Sequence, residues 1–312
     1  MKIVFFGSSE FARRSLRALV EAKHEVALVV TQPDKPRSRG LALGGTAIKD
    51  EAAALGLAVY QPESVNSASS MARLEQVEPD LFVIIAYGQK FSEKCLAIPR
   101  IMPVNVHASL LPKYRGAAPI NRAIMNGETR TGNSVMKVTP LMDAGPVILQ
   151  SCVAIEPSDT AITLEEKLAA DAPGLLLKAL RMIGDQTARL TPQDESQKTF
   201  APKLTAETIR IRWESRAEEI RNLVRASLSW SCAYTTCRGK RLKIYAVFCL
   251  SPDVKPDVAP GTVTEVSAQG ICVACGRGIV CITEVQLEGK KRLAACDFLA
   301  GFRLEAGERL GR

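Results

Sequence analysis

Apolar runs alternate with segments of helical periodicity over the first half of the chain. Residues 2–7 read Lys-Ile-Val-Phe-Phe-Gly, and residues 10–22 carry Phe11, Leu16, Leu19 and Val20 at helical spacing, the pattern of a strand followed by an amphipathic helix. A β-branched run at 26–31 predicts a second strand, and residues 46–55 a second helix. A short strand at 59–60 and a helix at 69–77 come next. Residues 80–87 include Leu-Phe-Val-Ile-Ile-Ala without alternation, as expected of a strand covered on both faces in a parallel sheet. A strand at 102–109 and a helix at 119–126, stopped before Gly127, continue the order. This βαβα succession predicts an α/β domain, doubly wound and Rossmann-like.

Further strands are expected at 134–139 and 147–155. Thr163-Leu-Glu-Glu166 has the form of a capping box opening a helix to about residue 182, which Pro173 is expected to kink or split. Residues 184–205 are polar and aperiodic, the texture of a linker. Beyond them the chain predicts a short helix at 217–226. Strands are then expected at 233–237, 242–247, 261–266, 270–274 and 279–287, with turn signals such as Arg238-Gly-Lys240 between them. Five short strands in roughly 80 residues suit an OB-like β-barrel domain. The expected division is a catalytic domain at 1–184, a linker at 185–207 and the OB-like domain at 208–312.

Composition adds little to this picture until charge is considered. Hydrophobic residues make up 46% and charged residues 24% of 312, ordinary for a globular chain and ample for two domains. The opening apolar run is too short for a secretory signal, and no run approaches the roughly 20 apolar residues of a membrane span. A cytoplasmic monomer is expected. The nine cysteines are scattered and odd in number, which favours reduced thiols over a disulfide framework. Cys272 and Cys275 form a CxxC, but in a strand residues three apart point to opposite faces. With only two histidines in the chain, no metal is expected. The net charge is +8, and from residue 208 onward 17 Lys and Arg face 11 Asp and Glu. That excess suits a polyanionic partner, or equally a mildly basic, soluble surface.

Chemistry concentrates in Asn105-Val-His-Ala-Ser-Leu-Leu-Pro-Lys-Tyr-Arg-Gly-Ala-Ala-Pro119. On a strand, Asn105 and His107 project from one face, near the C-terminal end where open α/β sheets place their sites. A carboxamide beside an imidazole can polarise a carbonyl and hold an oxyanion. After another strand comes Leu141-Met-Asp143-Ala-Gly145, whose carboxylate could orient the histidine or relay protons. Taken singly, each residue also has an ordinary reading as a structural histidine, a turn asparagine or a turn aspartate.

Asn-x-His-x-Ser-Leu-Leu-Pro-x-x-Arg-Gly-x-x-Pro followed by Met-Asp-x-Gly resembles the signature of the N10-formyltetrahydrofolate-dependent formyltransferases. The resemblance implies a catalytic triad of Asn105, His107 and Asp143. It also implies a folate-binding segment of Ser109, Leu110, Leu111 and Pro112, with Tyr87 and Gly88 of Ala86-Tyr-Gly88 on the pocket wall. 10-Formyltetrahydrofolate would be the co-substrate. Thr31-Gln-Pro-Asp-Lys-Pro-Arg-Ser-Arg-Gly40, Phe200-Ala-Pro-Lys-Leu-Thr205 and Ile211-Arg-Trp213 are similar to the branch of the family that formylates methionyl initiator tRNA. On that similarity Lys35, Arg37, Arg39, Lys203, Lys240 and Arg241 are expected at tRNA phosphates. A small amine such as a sugar nucleotide is the alternative acceptor, and an inert scaffold carrying a nucleic-acid-binding module would leave the triad unexplained. The chain departs from the family pattern at 41–45, 89–92 and 227–232.

Overall fold

The computed structural model describes residues 1–36, 43–251 and 253–311; Arg37 and Arg39 lie outside them. Of two units, the first comprises residues 1–119, 130–154 and 165–201, and the second takes 120–129, 155–164 and 202 onward. No helix among the described residues is long and apolar enough to cross a membrane.

The first unit opens with β1 (Lys2–Gly7), α1 (Glu10–Glu21), β2 (Glu25–Val30), β3 (Lys35–Pro36), β4 (Leu43–Gly44), α2 (Ala47–Ala54), β5 (Val59–Tyr60) and α3 (Ala68–Gln76). In chain order follow β6 (Leu81–Ile85), α4 (Glu93–Leu96), β7 (Met102–His107), α5 (Pro119–Met125), β8 (Arg130–Thr131), β9 (Ser134–Lys137), β10 (Val147–Gln150), β11 (Val153–Ala154) and α6 (Ala161–Gly184), of which α5 from residue 120 and α6 up to residue 164 belong to the second unit. Seven strands form one sheet in the order β10-β9-β7-β6-β1-β2-β5. From β5 to β7 the pairs are parallel, whereas β9 and β10 join antiparallel. Ile3 to Phe6 and all of β6 are buried, which explains why these strands show no alternation. Chain reversal between β1 and β6 places the carboxyl ends of β1, β2, β6 and β7 along one edge, the usual seat of a site in such sheets.

Helices α1 and α2 meet around Glu51, whose side chain is fully buried. Burial pushes its carboxyl up, but hydrogen bonds from Arg13 (2.6 Å) and Arg17 (2.7 Å) outweigh that and hold it below the usual carboxylate range. A buried carboxylate survives where such partners satisfy it.

Three expectations are corrected in this unit. The strand expected over 147–155 is two strands in different sheets, β10 on β9 and β11 on β8. Ser151 interrupts it: its N–H bonds the Asn133 carbonyl, its hydroxyl bonds Asp171, and its carbonyl presses on Gly132. A Cβ at Gly132 would fall 1.8 Å from that oxygen, so only glycine fits the crossing. Helix α6 starts two residues before the expected Thr163. Thr160 and Thr163 cap it reciprocally, each hydroxyl accepting from the other's N–H at 3.2 and 3.0 Å. The same helix runs unbroken through Pro173 instead of splitting. Proline removes one bond in that turn. The neighbouring Leu168 carbonyl accepts at 2.9 Å from buried Asn133, whose amide also donates to Asp171 at 2.8 Å.

The second unit contains α7 (Ala217–Ser227), β12 (Ala233–Cys237), β13 (Lys240–Cys249), β14 (Val263–Ser267), β15 (Gly270–Ala274), β16 (Ile279–Leu287), β17 (Leu293–Ala294) and α8 (Ala295–Gly301). Its antiparallel sheet follows the order β12-β13-β16-β15-β14, with β17 also on β16. An antiparallel β domain is therefore present as expected. Its path is open among the described residues, since β12 and β14 do not pair. The core gathers Ile211, Trp213, Ile220, Leu242, Ile244 and Val273. Trp213 is only 3% exposed, and its indole N–H donates to the Thr235 hydroxyl at 3.0 Å, the partner a buried indole requires. All nine cysteines are free thiols.

Asn133→Ala is expected to lower stability by about 1–3 kcal/mol, because it removes buried hydrogen bonds to the Leu168 carbonyl and to Asp171. Urea unfolding measures this as a lower midpoint at unchanged slope. An unmoved midpoint would show that these two bonds add nothing to stability.

Candidate active site

Strand β7 lies inside the sheet, with β6 parallel on one side and β9 antiparallel on the other. Alternation then puts Asn105 and His107 on one face at its carboxyl end, and His107 stands opposite Ser134 in register. The His107 ring is 8% exposed. Its Nε2 lies 2.9 Å from the Tyr114 carbonyl oxygen. A carbonyl only accepts, so Nε2 carries a proton and Nδ1 is the free nitrogen. Nδ1 lies 3.7 Å from Oδ2 of Asp143, beyond a hydrogen bond.

Asp143 sits on the turn before β10, in the left-handed region at φ 50°, a conformation aspartate tolerates better than most residues. Its Oδ2 accepts the Gly116 N–H at 2.8 Å. Gly116 has φ 124°, and a Cβ there would lie 2.8 Å from the Ala201 carbonyl oxygen. Both facts reserve the position for glycine. Asn105 is half-buried, and its carboxamide makes no hydrogen bond among the described residues. The three expected catalytic residues therefore converge on one edge of the sheet. They offer a free amide, a free ring nitrogen and a carboxylate anchored by a backbone N–H.

The 109–112 segment is braced from below by one side chain. Buried Ser134 donates to the Ser109 carbonyl at 2.6 Å and accepts from the Leu111 N–H at 3.1 Å and the Gln150 amide at 2.8 Å. Gln150 also donates to the Leu111 carbonyl at 3.0 Å. The Ser109 hydroxyl is itself turned inward, donating to the Lys113 carbonyl at 2.6 Å. Leu111 is buried, whereas Leu110 and Pro112 are half-buried and form the surface this cradle presents. Tyr87 is placed differently from what its position on a pocket wall suggests. Its ring is 2% exposed and lies against Phe6 and Phe91, and burial pushes its phenol well above the ordinary tyrosine range. The Tyr87 carbonyl accepts from Gln32 at 2.8 Å, and Gly88 follows at φ 86°.

Of the residues expected at tRNA phosphates, Arg37 and Arg39 lie outside the described residues. Lys35 lies in β3. In the second unit Lys203 is exposed, and Lys240 and Arg241 are exposed at the start of β13, with Arg241 4.4 Å over the Tyr234 ring. Tyr114, Gly116, Ser134 and Gln150 escaped the sequence reading. Tyr114 and Gly116 lie inside the 105–119 motif but act through backbone atoms. Ser134 and Gln150 carry no signal in sequence beyond being polar residues in strands.

A family model described as "Formyl transferase" matches residues 1–180, and one described as "Formyl transferase, C-terminal domain" matches residues 203–303. The methionyl-tRNA formyltransferase of Moorella thermoacetica is 42% identical over 311 residues, covering 100% of this chain and 99% of the relative. That of Geobacter metallireducens is 40% identical with the same coverage. Among solved structures, WlaRD, a sugar 3N-formyltransferase determined with dTDP and 5-N-formyl-THF, superposes with a TM-score of 0.68. It is 17% identical and covers 93% of this chain and 99% of its own. HypX from Aquifex aeolicus in complex with tetrahydrofolic acid gives a TM-score of 0.66 at 19% identity. There 99% of this chain is covered, but the chain spans only 48% of HypX. At these identities the two structures share the fold.

Arg115, 4% exposed, carries the main ion pair near the site: its guanidinium donates to Glu195 at 2.6 and 3.3 Å. Arg115 first, and Lys198 second, lower the Glu195 carboxyl from 4.5 to about 2. A depressed carboxylate pKa contributes stability that is present above pH 4.5 and lost as pH falls toward 2. The stability difference between the wild type and Glu195→Gln is therefore expected to be constant above about pH 5 and to shrink between pH 4.5 and 2. Denaturant midpoints across that range measure it, and a difference independent of pH would mean the pair contributes nothing through charge.

Proposed function

Since the chain belongs to the formyl transferase family, we propose that it transfers the formyl group of 10-formyltetrahydrofolate to the free amino group of methionyl initiator tRNA. Likeness over the full length to relatives named methionyl-tRNA formyltransferase supports this acceptor. The observation that carries the chemistry is Nδ1 of His107 lying 3.7 Å from Asp143 at the end of β7, with Asn105 two residues back on the same face of the strand.

The braced backbone of 109–112 and the backbone at 87–88 fit the folate. The cradle is rigid, and beside it the half-buried Asn105 amide has no hydrogen bond among the described residues. When bound, 10-formyltetrahydrofolate supplies a one-carbon unit carried on nitrogen. Asn105 donates its amide N–H to the formyl oxygen, where negative charge develops. His107 cannot offer Nε2, which is committed to the Tyr114 carbonyl, so the ring acts through Nδ1 alone. In its neutral form Nδ1 accepts the proton released by the attacking amine, and the imidazolium returns it to the departing nitrogen. Asp143 stabilises the positive ring from 3.7 Å. Lys35, Arg37, Arg39, Lys203, Lys240 and Arg241 meet tRNA phosphates.

His107→Ala and Asp143→Asn are each expected to lower kcat at least about a hundredfold, with folate binding little changed. Arg39→Ala is expected to raise the KM for tRNA alone. The test is formyl transfer from 10-formyltetrahydrofolate to charged initiator tRNA, with charged elongator tRNA and free methionine as controls. Near-normal turnover of either site variant contradicts the triad. Folate binding without formylated tRNA points to a smaller amine as acceptor.

A further inference from the structure

We propose that Gln193 is a positioning residue for the His107–Asp143 pair, acting through a strap, residues 191–201, that stitches the two loops supporting that pair. The inference rests on the catalytic reading above, and it assigns a role to a segment whose sequence reads only as a linker.

The strap is fastened by backbone. Thr191 exchanges two hydrogen bonds with Val147 at 2.8 and 2.9 Å, at the start of β10. Farther along, the Thr199 hydroxyl accepts the Tyr114 N–H at 2.9 Å, and the Thr199 carbonyl accepts the Arg115 N–H at 2.9 Å. The Ala201 N–H donates to the Arg115 carbonyl at 2.7 Å, and the Ala201 carbonyl accepts from Ala118 at 3.1 Å. The strap thereby holds the 114–116 loop, whose Tyr114 carbonyl engages His107 and whose Gly116 N–H engages Asp143.

Gln193 ties this loop to the other. Its Oε1 accepts from Nε and Nη2 of Arg115 at 3.0 and 2.8 Å. Its Nε2 donates to the carbonyls of Asp143 at 2.8 Å and Gly145 at 2.7 Å. Arginine only donates and carbonyls only accept, so the partners dictate which end is which, and all four bonds available to a carboxamide are made. Asp143 needs such support, because it is a non-glycine residue held at φ 50°, a conformation that persists only where its surroundings over-determine it. A fully bonded amide across the 115 loop and the 143–145 turn fixes the separation of the ring and the carboxylate. Misplacement of a catalytic group by about 1 Å can cost on the order of a hundredfold in rate.

Gln193→Ala removes the bridge. Gln193→Glu, nearly isosteric and still able to accept from Arg115, replaces the two donors by a carboxylate oxygen facing the Asp143 and Gly145 carbonyls, and gives a second readout should the alanine variant misfold. The control is Gln197→Ala, whose side chain lies in the same strap and donates to Asp194 at 2.7 Å. Steady-state formyl transfer by the full chain is expected to show kcat reduced about tenfold or more in both Gln193 variants. The KM values for tRNA and folate should stay within about twofold, and Gln197→Ala should keep the wild-type kcat. The chain has two histidines, so ring nitrogen resonances separate cleanly. In the Gln193 variants His107 should move while His24 stays. An unchanged kcat, a loss confined to KM, an equal loss in Gln197→Ala or an unmoved His107 would each overturn the proposal. If the wild type itself fails to formylate tRNA, the acceptor reading falls, and the His107 resonances alone decide the role of Gln193.

Discussion

A backbone carbonyl can only accept a hydrogen bond. Because the Tyr114 carbonyl takes one from Nε2 of buried His107, the ring is left with Nδ1 alone unengaged. Much else follows from that commitment. The donor must come from β7, a strand enclosed on both sides, so the ring cannot swing with a loop. The acceptor must come from a loop rigid enough to hold its carbonyl still. That loop is held by Asp143 through Gly116 and by the strand-like pairing of Arg115 with Phe200. The residues that surround the reactive groups mostly serve to fix where one lone pair points, in the manner of the outer shell that orients metal-ligating or catalytic histidines.

The parallel half of the first unit was legible because burial on both faces leaves a plain signature in sequence. The unalternating run around 81–85 and the helical spacing after Gly7 each produced an element within a residue or two of its expected limits. Asn105 and His107 were legible for a similar reason, since a period of two decides which residues share a face. Illegible features depended on partners distant in sequence. The break at Ser151 is decided by Asp171, Asn133 and Gly132, and α6 runs on through Pro173 although proline ordinarily interrupts a helix. Tyr87 was visible as a residue of the site region, but its ring was not visible as core, because nothing local distinguishes an inward from an outward tyrosine at the end of a buried strand.

Charge was legible only as a total. The excess of Lys and Arg beyond residue 208 is distributed unevenly in space. Arg238, Arg277 and Arg292 are paired with Glu308, Asp253 and Glu284, and Arg292 also lies 4.2 Å over the Tyr245 ring. Such exposed pairs add little stability, yet they neutralise part of the field that the count implies. Lys203, Lys240 and Arg241 remain exposed at the surface.

The placement of the two tryptophans gives the molecule an optical asymmetry. Trp213 is sealed in the core of the second unit and Trp230 is 46% exposed in the same unit, while the first unit contains none. Intrinsic tryptophan emission therefore reports on one half of the protein only. The first unit is silent at those wavelengths, and its unfolding must be followed by far-ultraviolet dichroism or through tyrosines such as Tyr87 and Tyr114. Any divergence between the two signals would separate the cooperative units without labels or truncation.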